Sequence, residues 1–564
     1  MKEKKQMSRV KQTLICLAIT LVVGLVYFYF ELPALNLHSP AFYTFVFILC
    51  AVYCVCAVFT SRIGLTSEER QLLQVTGFRE FFAMMKRHCM IPFFLCLALI
   101  VLYLGGSLFS SVILRSGSYT KLLTVEQGDF AADVEEISFD QIPMLDKDSA
   151  SKLGDRKLGE LSDMVSQFEV SDQYNQINYN GRPVRVTLLE YGDLIKWFTN
   201  RSNGIPAYLV IDMVTQNVDV VRLPEGEGIH YSTSEHFGRY LMRHLRFQYP
   251  TFMFDTPVFE INEEGEPYWI CPKLEKTIGL FGGTDINGAV LVNAITGESQ
   301  YYEEVPTWVD RLYSAELIMQ QYDYHGQYQN GFLNSIFGQK GVTVTTSGYN
   351  YIAMNDDVYV YTGITSVGED QSNVGFILTN QRTKETKYYP CAGATEYSAM
   401  NSAEGVVQHL NYKATFPLLL NIGNQPTYVI ALKDEAGLVK MYAMVNVSRY
   451  QIVGAGSSIA ETEQNYLRLL KDNNLYDGEV DTLPPSDGEQ AETEVTSGVI
   501  ADIRSAVLEG TTMYYLRLEQ GETYYVVSAA RNPYVILLNV GDEVEITHEK
   551  DAAMPNVTSI EKIS

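Results

Sequence analysis

Apolar residues follow two rhythms along this chain. Near the N-terminus they gather into three uncharged runs, Thr13 to Phe30, Ala41 to Thr60 and Met90 to Leu114. Each has the roughly 18–25 residues that a helix needs to cross about 30 Å of hydrocarbon. A cleaved leader would account only for the first run. No small-x-small cleavage site follows it and two more runs do, so three retained membrane helices are expected. Beyond residue 115 the rhythm shortens to the alternation of strands.

Four external segments share a hairpin pattern, with alternating apolar and aromatic residues around an Asn/Asp/Gly centre. They are INYNGRPVRVTLL (177–189), FEINEEGEPYWICPK (259–273), YNYIAMNDDVYVYTGI (349–364) and LLLNIGNQPTYVIALK (418–433). A third strand follows each: AYLVIDMVTQNVDVVRL, AVLVNAITGESQYY, GFILTNQRTKETKYY and MYAMVNVSRYQIV. Thr215, Thr296 and Thr383 fall at one point of the first three, where a polar residue interrupts the strand. Helix-period stripes come next: Phe237, Tyr240, Leu241 and Leu245; Val309, Leu312, Tyr313 and Leu317; Ala403, Val406, Val407 and Leu410; Ile459, Tyr466, Leu467 and Leu470. The expected unit is hairpin, strand and covering helix, repeated over about 173–250, 251–340, 341–415 and 416–476.

A three-stranded sheet with one covering helix resembles the PepSY module, whose last strand ends in a Thr-Gly turn. LVNAITGE (291–298) carries the resemblance best, and VIDMVTQN (210–217) more loosely. The resemblance implies a non-catalytic binding or inhibitory unit near the cell envelope. After an acidic, Pro-Pro-containing linker (477–497), five short strand patterns from 498 to 564 resemble an OB-fold barrel. Before the repeats, 116–172 reads as an acidic juxtamembrane segment with a short strand and a helix. The fold class expected is therefore membrane-anchored α+β: three transmembrane helices (1–115), tandem βββα repeats and a small C-terminal β-barrel.

Charge sharpens the placement. Residues 1–113 hold ten Lys/Arg and five Asp/Glu, which leaves 32 and 62 for the remainder. So acidic a remainder repels phosphate backbones, and the barrel's five basic residues face ten acids, so nucleic acid is not an expected partner. Lys2, Lys4, Lys5, Arg9 and Lys11 precede the first span, and Arg62, Arg70, Arg79, Lys86 and Arg87 lie in the loop 61–89. The connector ELPALNLHSP has neither Lys nor Arg. The positive-inside rule then puts the N-terminus in the cytoplasm and 115–564 outside. In the loop, Thr66 and Glu69 have capping-box spacing before Leu72, Leu73, Phe78, Phe81, Phe82 and Met85, which predicts a helix. Six of eight cysteines lie in or beside spans, and Cys271 and Cys391 outside do not make a disulfide framework.

Chemistry is sparse. GLFGGTDING (279–288) lacks the Lys-Ser/Thr of a phosphate loop and reads as a connection between two strands; GAGSS (454–458) lacks Gly-x-Ser-x-Gly spacing, leaving Ser457 or Ser458 to cap a helix. No cofactor or metal motif is present. The ligand-binding candidates are Trp308, Asp310 and Arg311, with Pro306 expected at a helix start, and Asp285, Asp323 and His325, which could form an acid-base group. The function expected is a non-catalytic binding, scaffold or regulatory protein of a bacterial envelope, with other envelope proteins, peptide or glycan as partners. The alternative is an envelope hydrolase whose site assembles between repeats.

Overall fold

The computed structural model describes residues 9–63, 89–136, 142–367, 372–478 and 480, then 493–508, 511–521, 523–528, 532–549, 555 and 557–563. The expected helix at Thr66–Met85 and most of the acidic linker lie outside these residues. Helices α1 (Arg9–Glu31), α2 (Pro40–Ile63) and α3 (Met90–Phe109) form the N-terminal group. Their most apolar stretches have mean hydropathies of 2.3 to 2.5, yet only 6 to 17 % of those stretches is buried by protein. Apolar helices so little covered need a hydrocarbon neighbour, so the chain is a multi-pass membrane protein.

The chain divides into two compact units, Met1–Val480 and Asp481–Ser564. After α3 the first unit continues through a juxtamembrane helix α4 (Val112–Tyr119) into strand β1 (Val125–Gln127), the short α5 (Phe130–Asp133) and α6 (Lys147–Gly159). Four antiparallel meanders of one design follow. In each, an opening strand broken into two pieces pairs with a long second strand, which leads to a third and a fourth. The first has β2 (Phe168–Val170) and β3 (Asn175–Tyr179) on β4 (Arg182–Tyr191), then β5 (Ala207–Asp212) and β6 (Val218–Arg222). The second has β7 (Met253–Phe254) and β8 (Val258–Ile261) on β9 (Pro267–Ile278), then β10 (Gly282–Asn293) and β11 (Ser299–Tyr302). The third has β12 (Thr343–Thr345) and β13 (Asn350–Met354) on β14 (Asp357–Ser366), then β15 (Ser372–Asn380) and β16 (Thr386–Ala394). The fourth has β17 (Lys413–Ala414) and β18 (Leu418–Ile422) on β19 (Gln425–Lys433), then β20 (Val439–Asn446) and β21 (Val453–Gly456).

The expected βββα unit is thus corrected to a four-stranded one, and the three-stranded likeness to PepSY goes with it. The polar interruption is a hairpin turn. Asp212, Asn293 and Asn380 each accept two backbone N–H groups, those two and three residues on. The hydroxyls of Thr215, Thr296 and Thr383 accept a further N–H two residues later. Such self-bonding offers the chain an alternative to continuing the strand. The next residue is left-handed in all three turns, with φ of 61° at Gln216, 75° at Gly297 and 66° at Lys384. Only Gly297 must be glycine, because a Cβ there would lie 2.3 Å from the Tyr231 ring.

Sheets share cores in pairs. Val186, Leu188 and Leu209 of the first pack with Trp269, Val290 and Val292 of the second, together with Leu241 and Leu245 of α8 (Leu241–Gln248). Between them, α7 (Leu194–Asn200) leads from β4 to β5. Helix α9 (Ala315–Tyr328) lays Tyr322 on Ile364 and Ile377 of the third sheet. Tyr361, Phe376 and Leu378 of that sheet share a core with Leu419, Tyr428 and Ile430 of the fourth. Ala399 and Ala403 of α10 (Glu396–Val406) and Tyr466 and Leu470 of α11 (Ile459–Asp472) complete it. The second stripe was mis-phased: Val309, Leu312 and Tyr313 are in a loop and helix starts only at Ala315.

The second sheet is docked on the spans. Arg246, buried in α8, donates from Nε to the Leu32 carbonyl (2.9 Å) and from Nη1 to the carbonyls of Tyr249, Pro250 and Phe252. Leu35 N–H bonds the Pro250 carbonyl (2.8 Å), and Asn36 Nδ2 bonds that of Thr251 (3.0 Å). The Gly-rich β9–β10 turn abuts the ends of α2 and α3: Phe281 sits against Tyr43 and Tyr103, and Ser110 Oγ accepts the N–H groups of Leu280 and Phe281. A Cβ at Gly282 would lie 2.2 Å from the Tyr119 hydroxyl, which is why glycine is needed there. The α1–α2 connector and the chain beyond Ser110 therefore lie on one side of the spans.

The second unit is an open sheet in the order β24-β23-β22-β25-β26, which overturns the barrel expected from the OB-fold likeness. Strand β22 (Thr493–Leu508) is long enough to serve two partners, β25 (Glu543–Glu549) with its first half and β23 (Thr511–Leu518) with its second. Strands β24 (Tyr524–Ser528) and β26 (Val557–Lys562) form no ladder with each other and remain edges.

Val292 is fully buried beneath the first pair of sheets, so Val292→Asp is expected to cost about 3 kcal/mol or more, the carboxylate losing its water without gaining a partner. Glu298→Ala at the exposed turn should stay within about 0.5 kcal/mol. Denaturant titration of the purified chain checks both. A normal midpoint for Val292→Asp would contradict the shared core.

Candidate functional site

Buried charge concentrates where the first three sheets meet. Strand β8 runs between two packed faces, so its alternation gives Glu260 no route to water and the residue is 0 % exposed. Its carboxylate is met by donors instead. The N–H of Asp310 reaches Oε2 (3.0 Å), while the N–H of Arg311 (3.0 Å) and Asn175 Nδ2 (3.1 Å) reach Oε1. Asp310 is itself buried, and its Oδ2 accepts the Asn178 N–H at 2.7 Å. Asn175 and Asn178 belong to the first sheet and Glu260 to the second. The N–H groups of Leu312 and Tyr313 bond the Gln381 carbonyl in the third-sheet turn (3.1 and 2.8 Å). One loop therefore joins three sheets.

Burial raises both carboxyl pKa values above the ordinary range, and for Asp310 the neighbouring Glu260 charge adds to it. The three donors hold the negative charge on Glu260. Asp310, with one backbone donor, is the better place for the proton. Arg311 offsets part of this charge. Its Nη1 lies 3.4 Å from Asn175 Oδ1, and its buried Nε has no hydrogen-bond partner. Beside it opens a cavity of about 360 Å³ lined by Asp255, Thr256, Arg311, Ser314 and Glu316, with Val258, Pro272 and Leu312 as the apolar wall. Ser314 Oγ donates to Asp255 Oδ2 (3.0 Å), and the Tyr349 hydroxyl donates to Glu316 Oε1 (2.7 Å). Such a concavity, with a guanidinium and two carboxylates among its lining residues, suits a small zwitterionic or amide-bearing group.

Of the residues picked from sequence, Asp310 and Arg311 come together at this junction. Trp308 packs its ring 5.2 Å from Tyr268 and does not line this cavity, and Pro306 begins a turn rather than a helix. The other three do not converge. Asp285 pairs with Lys384 (2.7 Å), Asp323 accepts the Thr345 N–H (2.8 Å), and His325 Nδ1 faces the Thr120 carbonyl (3.1 Å). Two residues apart on α9, Asp323 and His325 point to different helix faces. Glu260 and Asn175 escaped the sequence reading. In a strand buried on both faces, alternation does not set an inward acid apart.

Among the described residues, no group of three or more His, Cys, Asp or Glu side chains is arranged to hold a metal ion. Comparison with protein-family models finds none that matches this chain, and comparison with curated proteins finds no matching sequence.

The junction should make stability pH-dependent. Because folding raises both pKa values from 4.5 and 3.8, the folded state holds more protons than the unfolded state above those values. Its stabilisation is present at acid pH and is lost as pH rises through the raised values. Asp310→Asn mimics the protonated acid. Its melting temperature relative to the parent should rise steadily from about pH 5 to about pH 9. A difference that stays flat with pH would contradict the buried proton.

Proposed function

We propose that this is a non-catalytic, extracytoplasmic binding or scaffold protein of a bacterial envelope, whose array of sheets presents the cavity beside Arg311 to a peptide or glycan portion of a partner. The observation that carries the reading is the dock. Arg246, Leu35 and Asn36 fix the second sheet to the α1–α2 connector, so the cavity beside that sheet is held at a set place relative to the bilayer. A binding face gains from such fixing, because less orientational freedom is lost when the partner arrives.

The proposed orientation is supported by charge, and this contact is compatible with it. The connector without Lys or Arg touches the sheets, while the basic residues flank the opposite ends of the spans. This pattern supports a cytoplasmic N-terminus with 115–564 extracytoplasmic. A cytoplasm-only reporter fused after Arg115 should be inactive; activity there would reverse the topology.

The function is tested with a photo-cross-linking residue at Glu316 in the full-length chain, illuminated in native membranes. A discrete adduct that weakens with Arg311→Ala supports a binding cavity. Chemical conversion of the captured molecule would favour a hydrolase, and the lack of any adduct would overturn the site.

A further inference from the structure

Helix α7 carries its hydrophobic residues on the wrong side for a soluble protein. Trp197 faces inward, only 5 % exposed, and its Nε1 donates to Glu235 (2.7 Å), which also accepts the Tyr191 hydroxyl (2.8 Å). With that anchor fixed, Leu194, Ile195 and Phe198 are left 62, 77 and 63 % exposed. Phe237, in contact with the Trp197 ring at 5.8 Å, is exposed by 63 % as well. Its φ of 53° is left-handed, a conformation that asparagine or glycine adopts more readily, yet a phenylalanine stands there.

The level of this patch is set by the spans. Tyr29 lies in the last turn of α1, where a membrane helix reaches the headgroups. The Arg243 guanidinium donates from Nε to the Tyr29 carbonyl (3.0 Å) and from Nη1 to the Phe237 carbonyl (2.7 Å), so a single planar group spans both. Phe247, 57 % exposed, meets the Phe28 ring edge-on at 5.5 Å. Arg201 lies over the Phe198 ring at 4.5 Å, placing a guanidinium beside the apolar face. Exposed aromatic and aliphatic residues with arginines at their rim are the composition of a surface seated at the lipid boundary.

We infer that Leu194, Ile195, Phe198, Phe237 and Phe247 form an interfacial foot that enters the headgroup region of the phospholipid leaflet beside α1, with the rim arginines at phosphate level. The inference rests on the reading of the three apolar helices as membrane spans, and not on the scaffold role. It continues an established contact, since Arg243 and Phe247 already join the sheets to α1. The foot turns a tether into a two-point attachment.

The test uses full-length chain in nanodiscs of mixed phosphatidylcholine and phosphatidylglycerol, with and without bromine on shallow acyl carbons. Tryptophan fluorescence of Phe198→Trp and Phe28→Trp is compared after subtracting the parent signal. The expected result is that brominated lipid quenches Phe198→Trp to an extent comparable with Phe28→Trp. If Phe28→Trp is quenched and Phe198→Trp is not, the foot is overturned while the spans stand. Quenching of neither would remove the membrane reading as well. An unquenched but blue-shifted Phe198→Trp in a nanodisc holding two chains would mean that a second copy covers the face, and would also overturn it.

Discussion

A buried guanidinium, Arg246, stands at the centre of the contacts that hold the array of sheets to the membrane part. Arg246 is 5 % exposed, and burial lowers its pKa to about 10, which still leaves it charged at neutral pH. A charge so placed is tolerable only if its donors are satisfied. Four backbone carbonyls do this, one from the connector between two spans and three from the turn after α8. The β9–β10 turn against Ser110 and the Arg243 bond to the Tyr29 carbonyl join the same two parts.

The same economy appears in the hairpin turns. A left-handed residue after the threonine costs about 1 kcal/mol when it is not glycine, and two of three turns accept the cost. At Lys384 the compensation is visible, since its ammonium forms a pair with Asp285 of the neighbouring sheet at 2.7 Å. The repeat supplies a shape, and substitutions within it supply the joints between copies.

Much of this was legible in the sequence. The three spans follow from length and lack of charge, and the four hairpins from their turn residues. The fourth strand was hidden because SQYY and its counterparts follow the turn without a break in composition, so one strand appeared where two run antiparallel. The second helix was mis-phased because Val309 and Leu312 are buried in a loop, and burial alone imitates a helical stripe. The barrel failed for another reason: alternation predicts strands but not whether the outer two meet. Asp310 and Arg311 were found as a charged pair beside a tryptophan. Their acidic partner Glu260 comes from a strand fifty residues earlier, a distance that local pattern cannot bridge.

Strand β1 gives the array a direction in time. It leaves the bilayer first and pairs in parallel with β16, Val125 opposite Thr386. Nearby, Asn421 Nδ2 bonds the Val134 carbonyl across 287 residues, and Glu136 accepts the Gly423 N–H. Closing loops of that length is slow, and the waiting strand keeps an unpaired edge until its partner arrives. A chain made from its N-terminus therefore has β1 before it has β16, and the first two sheets are made in between. A nascent chain halted before the third sheet would carry that edge permanently, available to any degradative protease or chaperone that recognises extended backbone. Completion of the third sheet, whose last strand is β16, is what pairs that edge.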